Sequence, residues 1–288
     1  MGIIFSTVVL IAEFLFRVIN PSMAIKGDLS TISNQPSPGG LEIGLDFFES
    51  KAFYAYKYSS IMFYDSNYVG LFALSILICT YFLAFKFRFN LLYVLLIFTN
   101  SLLVFLSFSR SAIFSMFIIS LFYIILYLYN NKKWFLLIFS LFSLFSLFSL
   151  SLFNILLFIS SDESFITKIS IFSSMKKFFD FDVLNMLFGY GLLDGGYAIS
   201  YQEGKYAHAL VPVLLGQIGI IGLLVYLISF TIMCFKSGTH GIVLLFSFLI
   251  TGISLVDPWQ IIYFWSALYM LHLKKIPDYT LLNKHKDL

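Results

Sequence analysis

The stretch Leu214-Leu-Gly-Gln-Ile-Gly-Ile-Ile-Gly-Leu-Leu-Val-Tyr226 decides the fold, because it belongs to a long apolar run that predicts a membrane helix. The glycine-rich segment Leu187-Phe-Gly-Tyr-Gly-Leu192 and the tripeptide Tyr206-Ala-His208 precede it. Three glycines at three-residue spacing within the first stretch allow close approach of a neighbouring helix. A glycine-rich turn and a titratable imidazole are therefore predicted just outside a membrane span.

Composition places the rest of the chain in a membrane as well. Of the 288 residues, 60% are hydrophobic and only 11% are charged. A soluble domain needs more polar surface than this to face water. Because backbone polar groups in lipid must be satisfied internally, the spans are predicted to be helices. The net charge of +3 is not typical of a nucleic-acid-binding protein.

We predict an all-α, polytopic integral membrane protein with about eight transmembrane helices, each near the length that crosses the hydrocarbon. The predicted spans are Ile3–Ile19, Tyr68–Phe85, Leu91–Phe108, Ala112–Tyr129, Phe135–Ile159, His208–Phe235, Ile242–Val256 and Trp259–Leu273. The first span lacks a basic flank and a small-residue cleavage site and contains Glu13 and Arg17, which favours a retained helix over a cleaved signal peptide.

The lysines and arginines between the spans predict the orientation. Alternating spans put four basic clusters on one side, which should be the cytoplasmic side. These clusters are Lys86 and Arg88, Lys132 and Lys133, Lys236, and Lys274, Lys275, Lys284 and Lys286. Both termini are then inside, residues 274–288 form a cytoplasmic tail, and the long loops 20–67 and 160–207 face out. We treat residues 1–288 as a single membrane domain.

The second outer loop contains a candidate amphipathic helix over Ser164–Phe181. Apolar residues recur at helical spacing within it, and basic residues that include Lys176 and Lys177 lie between them. This pattern is typical of a helix that lies on a membrane surface. The apolar residues are Phe165, Ile169, Phe172, Met175 and Phe179.

Two arginines are predicted near the outer face. Arg17 follows Glu13 by four residues, which places both on one helix face. This spacing is equally compatible with a self-neutralising pair whose arginine extends outward and with an anion-binding arginine that faces a cavity. Arg110 lies in a tight turn on the side where the positive-inside bias disfavours it. We favour a specific anionic partner for Arg110, because its planar fork suits a phosphate.

Three further polar residues invite a functional interpretation. His208 opens a predicted span, and its imidazole is tunable near neutral pH, although a lone histidine at a boundary is often only a polar end residue. Asp65 and Asn67 precede the second span, where a helix cap is the simpler explanation and ligand contact the alternative. The two cysteines, Cys79 and Cys234, lie in apolar runs and indicate neither a disulfide nor a metal site.

These motifs resemble those of the bacterial O-antigen polymerases, the Wzy-type enzymes, and of the related O-antigen ligases. The family has four elements in a fixed order, and this chain has a similar segment for each. They are Asp65-Ser-Asn67 before a helix, Ser109-Arg110-Ser111 opening a helix, Gly189-Tyr-Gly191 in a turn, and His208 before a glycine-rich helix. The order of the motifs and their shared outer-face placement carry the resemblance, which extends from about Glu13 to Tyr226.

The chain also departs from this pattern. Ala209 follows the histidine where the family often has asparagine, and Gln217 stands where glutamate is common. The long outer loop offers Lys176 or Lys177 where an arginine is usual. The predicted spans are also fewer than is usual in the family, which leaves open whether N-terminal helices are missing.

The resemblance implies a GT-C-like fold in the bacterial inner membrane and an active site on the periplasmic face. It implies a polymerase that transfers an undecaprenyl-diphosphate-linked glycan onto another lipid-linked repeat unit, with a chain-length regulator as an expected partner. The carried-over roles are His208 as general base, Arg110 and Arg17 as diphosphate ligands, Lys176 and Lys177 as assisting cations, and Asp65, Asn67, Gly189 and Gly191 as substrate-binding residues. We expect no cofactor or metal, because diphosphate is already a good leaving group.

Two other functions compete with this interpretation. An O-antigen ligase, which transfers glycan to lipid A-core, shares the same motifs. A flippase or another transporter would instead predict internal repeats and polar groups near the membrane midplane. The sequence shows no clear repeat, and its charged residues lie mainly at the ends of the spans.

Overall fold

The computed structural model describes residues 2–19, 66–87, 89–133, 136, 169–202, 206–207, 209–254 and 262–275. Every regular element in these ranges is helical. The long helices are α1 (Gly2–Ile19), α2 (Ser66–Phe87), α3 (Leu91–Leu106), α4 (Arg110–Asn130), α7 (Leu210–Ser237), α8 (Thr239–Ser254) and α9 (Ile262–Lys274). Between α4 and α7 lie a 3₁₀ helix (Ser174–Asp180), α5 (Val183–Phe188) and α6 (Gly195–Ala198).

The described residues of the other seven predicted spans are largely helical, and of the fifth span only Leu136, also helical, lies in the described ranges. Among the described helices, α1, α2, α4 and α7 are long and apolar enough to cross a membrane. The helices α3 and α8 are apolar but shorter. The all-helical class and the membrane character are therefore confirmed, whereas the full set of eight crossings and the GT-C-like arrangement stay predictions.

The chain divides into two compact units. The first comprises residues 1–116 and 262–288, and the second comprises residues 117–261, so that α4 begins in one unit and ends in the other. In the first unit, α2 is the central helix and packs against α1, α3 and α9. Most of α2 is buried, because its small and aliphatic residues lie on all sides of the helix rather than along one stripe.

Polar contacts inside the first unit fix how its helices meet. The amide of Asn100 on α3 donates to the Thr7 hydroxyl on α1 at 3.1 Å, and both side chains are buried. At one end of the unit, Lys86 Nζ at the end of α2 donates to the Leu273 carbonyl at the end of α9. Lys86 and Lys274 therefore lie at the same end of the first unit, whereas the orientation in the membrane stays a prediction.

In the second unit, the first half of α7 is enclosed by the segment 171–209. One cluster joins Ile171, Ala207, Ala209 and Val213, and another joins Phe178, Ile199 and Leu215. The second half of α7 packs against α8, which follows after a turn at Gly238. The Tyr123 hydroxyl on α4 lies 2.9 Å from His240 Nδ1 on α8, and their rings are stacked.

The predicted amphipathic helix differs from the structure in its register. Residues 174–180 form a 3₁₀ helix rather than a continuation of an α-helix. Because a 3₁₀ helix has three residues per turn, Phe178 rather than Phe179 faces the unit's core. Ile169 and Phe179 of the predicted stripe are exposed, and Phe172 and Met175 are partly buried. Phe165 lies outside the described residues.

The contact between Thr7 and Asn100 gives a stability prediction. Thr7→Val and Asn100→Leu should show a coupling of about 0.6 kcal/mol, the usual value for hydrogen bonds between membrane helices. The Thr7 hydroxyl also donates to Ile3 O of its own helix at 2.8 Å. That bond is lost in both Thr7→Val variants, so its loss cancels in the double-mutant cycle. The measurement is the free energy of unfolding in mixed micelles. Thr251→Val is the control, because its hydroxyl bonds within α8; combined with Asn100→Leu it should be additive, and equal coupling in both cycles would refute the assignment.

Candidate functional site

One end of the first unit brings together four helix termini. The end of α1, the start of α2, the end of α3 and the start of α4 meet there, around a small recess. Gly70 on α2 makes this possible, since a Cβ at that position would lie 2.5 Å from Ser107 Oγ and 2.7 Å from Ser109 Cβ. Contacts that short do not occur, so a larger residue would push the turn between α3 and α4 away from α2.

The turn between α3 and α4 is tight and partly strained. Phe108 adopts φ +53°, a left-handed conformation that is uncommon for a bulky residue and tends to occur at functional sites. Ser107 Oγ donates to Val104 O and accepts from the Ser109 amide, which satisfies the turn internally. The Ser109 carbonyl accepts the first helical bond, from Ile113 N at 2.9 Å, so α4 begins immediately after Ser109.

This geometry makes Arg110 the first residue of α4. Its side chain is exposed. A helix N-terminus carries a partial positive charge, so a cation there is electrostatically unfavourable by about 0.3–1 kcal/mol. The arrangement suits an anion instead, because the guanidinium and the first N–H groups of α4 attract negative charge together. The turn Ser109-Arg110-Ser111 therefore has the electrostatics of an anion-binding end.

Arg17 lies beside the same turn but is buried. Its Nε is 3.1 Å from Glu13 Oε1, and the arginine is only 1% exposed. Glu13, Arg17 and Ser107 all line the recess, together with apolar side chains. Of the two alternatives that the spacing left open, the structure shows the pair with Glu13, but Arg17 is buried beside the recess and does not extend outward. Burial keeps the pair together, because a separated buried charge would be costly.

The second unit contains a helix break. Gly219 has φ +63°, which interrupts α7 and divides it into two helical halves. A break of this kind leaves carbonyls that need donors from elsewhere. The Tyr190 amide donates to the Gly216 carbonyl at 2.8 Å, and the Gly191 amide donates to the Gln217 carbonyl at 3.0 Å. The loop after α5 is therefore joined to the broken helix by its main chain.

The glycines of this loop explain the close approach. Gly189 (φ +77°) and Gly191 (φ +89°) are left-handed, and a Cβ on Gly189 would lie 2.5 Å from the Gln217 main chain. A Cβ on Gly216 would meet the Gly195 carbonyl. The prediction that the α7 glycines allow close helix approach is confirmed, because Gly216 lies against Gly195 at the start of α6 and Gly219 lies against Leu187 and Phe188 at the end of α5.

Gln217 is a site residue that the sequence did not single out for a role. It is buried, and its Nε2 donates to Leu192 O at 2.8 Å and to the Tyr206 hydroxyl at 2.9 Å. The amide thereby connects α7 to the loop and to the residue two positions before His208. Two signals in the sequence were its position between Gly216 and Gly219 and its place where glutamate is common in the family that the motifs resemble.

Of the remaining predicted site residues, the structure describes some and not others. Asp65 and His208 lie outside the described residues, and Asn67 lies half-buried in the first turn of α2. The neighbours of His208, Ala207 and Ala209, are fully buried, which fixes the chain on both sides of the histidine. Their roles stay predictions.

Lys176 and Lys177 are exposed on the 3₁₀ helix. Lys177 Nζ donates to the Ser200 carbonyl at 2.8 Å and so holds part of the loop. This contact gives Lys177 a structural role beside the predicted one. Among the residues that the structure describes, no group of three or more histidine, cysteine, aspartate or glutamate side chains is arranged to hold a metal ion.

Comparison with known proteins adds no identification. No family model, curated protein or solved structure matches the chain.

Because Arg110 lies at the N-terminus of α4, removing a cation from the two ends of α4 should change the free energy of unfolding in opposite directions. Arg110→Gln should leave the free energy of unfolding unchanged or raise it by up to about 1 kcal/mol, because it removes a cation from the positive end of the helix dipole. Lys133→Gln, just beyond the other end, is the matched control and should lower it by a similar amount. Thermal denaturation in micelles measures both, and a large loss for Arg110→Gln would show a structural role.

The docked loop gives a second prediction. Gly189→Ala and Gly191→Ala both place alanine in the left-handed region, at about 1–2 kcal/mol each. Only Gly189→Ala also collides with the Gln217 main chain, because the space beside Gly191 is open. Limited proteolysis should therefore cut residues 183–202 much faster in Gly189→Ala than in Gly191→Ala. Equal rates in the two variants would contradict the docked arrangement.

Proposed function

We propose that the chain is a membrane glycosyltransferase that polymerises the lipid-linked repeat units of a surface polysaccharide, such as O-antigen. The observation that carries the proposal is the position of Arg110: an exposed arginine at the N-terminus of an apolar helix long enough to span a membrane. Such an end favours an anionic group at a membrane boundary. A polyprenyl diphosphate, with an apolar tail in the bilayer and a charged head at its surface, fits this placement.

The reaction would transfer one glycan chain to another. An acceptor hydroxyl attacks the anomeric carbon of the donor sugar, the bond from that carbon to the diphosphate oxygen breaks, and the diphosphate leaves with the electron pair. The negative charge on the leaving oxygen grows in the transition state. Fixed cationic charge from Arg110 stabilises that charge more strongly in a site of low dielectric than in water.

The hydroxyl proton must be removed as the new glycosidic bond forms. In the proposal His208 accepts it, because an imidazole exchanges protons near neutral pH. The neighbours of His208 are held by packing, and Ala207 N donates to Gly196 O at 2.9 Å. A general base must also lie within hydrogen-bonding reach of the proton that it removes.

The other predicted residues would bind the glycan and its diphosphate. The turn Gly189-Tyr-Gly191 offers a main chain close to α7, and Lys176 and Lys177 add positive charge in the same unit. Asp65 and Asn67 are the candidates for hydrogen bonds to sugar hydroxyls. The periplasmic face and the bacterial inner membrane belong to this proposal.

A lipopolysaccharide gel from a deletion strain tests the function. Wild type should restore the ladder of polymerised units, whereas Arg110→Gln and His208→Ala should leave a single-repeat band. Arg110→Lys should restore the ladder weakly, because it keeps the charge but loses the bidentate fork. Lys133→Gln is the matched control and should restore the ladder fully, with equal protein levels shown by immunoblot.

The same gel separates the alternatives. Bare core without a single repeat in the deletion strain would favour the ligase or a flippase. An unchanged ladder would refute a role in O-antigen synthesis. A full ladder from Arg110→Gln would refute the role of this arginine even if the chain is a polymerase.

A further inference from the structure

The burial of α7 changes at Gly219. Before the break, every residue from Leu210 to Ile218 is buried or half-buried, because the segment 171–209 encloses this half of the helix. After the break, large apolar side chains point outward along the helix. They are Ile220, Ile221, Leu224, Val225, Ile228, Ile232 and Phe235. Only the second half of α7 therefore has the outward apolar surface of a helix in lipid.

The length of this second half matches a bilayer. The rise from Gly219 to Lys236 is about 26 Å at the helical rise of 1.5 Å per residue. The hydrocarbon core of a bilayer is about 30 Å thick. If Lys236 marks one boundary of the hydrocarbon, Gly219 lies close to the other.

The loop is hydrogen-bonded to α7 at this level. Tyr190 and Gly191 donate to the carbonyls just before Gly219, and the main chain of Leu187 lies against Gly219 itself. The segment Val183–Leu193 is therefore held at the depth where α7 changes from enclosed to exposed. Its depth follows from main-chain contacts and does not depend on its composition.

The outward side of this segment is apolar. Leu193 is 84% exposed, Val183 is 73% exposed, and Leu184, Phe188 and Leu192 are also largely exposed. No charged residue lies between Asp182 and Asp194, both of which are exposed. Transfer of each such side chain from water into an apolar medium is favourable. A continuous patch of this kind marks a surface that another molecule covers.

We propose that Val183–Leu193 is inserted into the bilayer and that lipid acyl chains cover its apolar surface. Continuity identifies the occupant: the segment lies at the level where the lipid-facing surface of α7 begins, so the two surfaces join. The aspartates at its ends would lie at the headgroup level, as in amphipathic segments that lie along a membrane interface. This inference does not depend on the proposed activity.

A spin label on Leu193→Cys, in protein reconstituted into phosphatidylcholine and phosphatidylglycerol vesicles, tests the proposal. Collisions with oxygen, which concentrates in lipid, and with a polar nickel chelate, which stays in water, report the surroundings of the label. Val225→Cys on the outward side of α7 is the lipid reference, and Gln202→Cys, exposed after the loop, is the aqueous reference. Wild type, whose Cys79 and Cys234 are buried, gives the labelling background.

The ratio of oxygen to nickel accessibility at Leu193 should be several-fold above that at Gln202 and close to that at Val225. A ratio equal to that at Gln202 would overturn the proposal, because the segment would then face water. Low accessibility to both reagents would also overturn it and would indicate a protein partner or a second copy. Phe188→Cys, a second exposed position on the same segment, should reproduce the result obtained at Leu193.

Discussion

The second unit depends on one constraint, which is that main-chain polar groups away from water must find partners within the protein. The break at Gly219 frees carbonyls in a long apolar helix of the unit, and the amides of Tyr190 and Gly191 satisfy two of them. The loop is therefore needed for the break in the helix, because its amides supply the donors that the freed carbonyls require. The Gln217 side chain adds further hydrogen bonds between the helix and the loop, since its buried amide donates to Leu192 O and to the Tyr206 hydroxyl.

In the first unit, electrostatics and packing act at one helix end. Gly70 lets the turn between α3 and α4 approach α2, and the serines on both sides of Phe108 satisfy the strained turn. The result is an arginine at the helix terminus that a free-standing helix would disfavour. The proposed diphosphate site lies at this turn, where a left-handed Phe108 and a cation at the helix terminus occur together.

Hydropathy was sufficient to predict the helical class and the seven long described helices, because a run of apolar residues long enough to cross lipid has few other structures available. The short helices α5 and α6 were not predicted. It could not predict the break at Gly219, since the side-chain pattern of Ile218, Gly219 and Ile220 continues that of a helix. The 3₁₀ segment was missed for a related reason, because Phe178 and Phe179 are equally apolar and only the local helical pitch decides which of them is buried. Charge spacing did predict the pair of Glu13 and Arg17, because an interval of four residues fixes their common face.

The burial of Arg17 changes how the two arginines would share a diphosphate. Arg17 can bind an anion fully only by loosening its bond to Glu13, and disruption of a buried ion pair costs about 3–5 kcal/mol. Arg110 is exposed, and its interactions are screened by solvent, so it would lose much less on meeting a ligand. In the proposed enzyme Arg110 is therefore the primary ligand of the diphosphate. Arg17 contributes mainly through the electrostatic field of its positive charge, which the negative charge of Glu13 largely offsets.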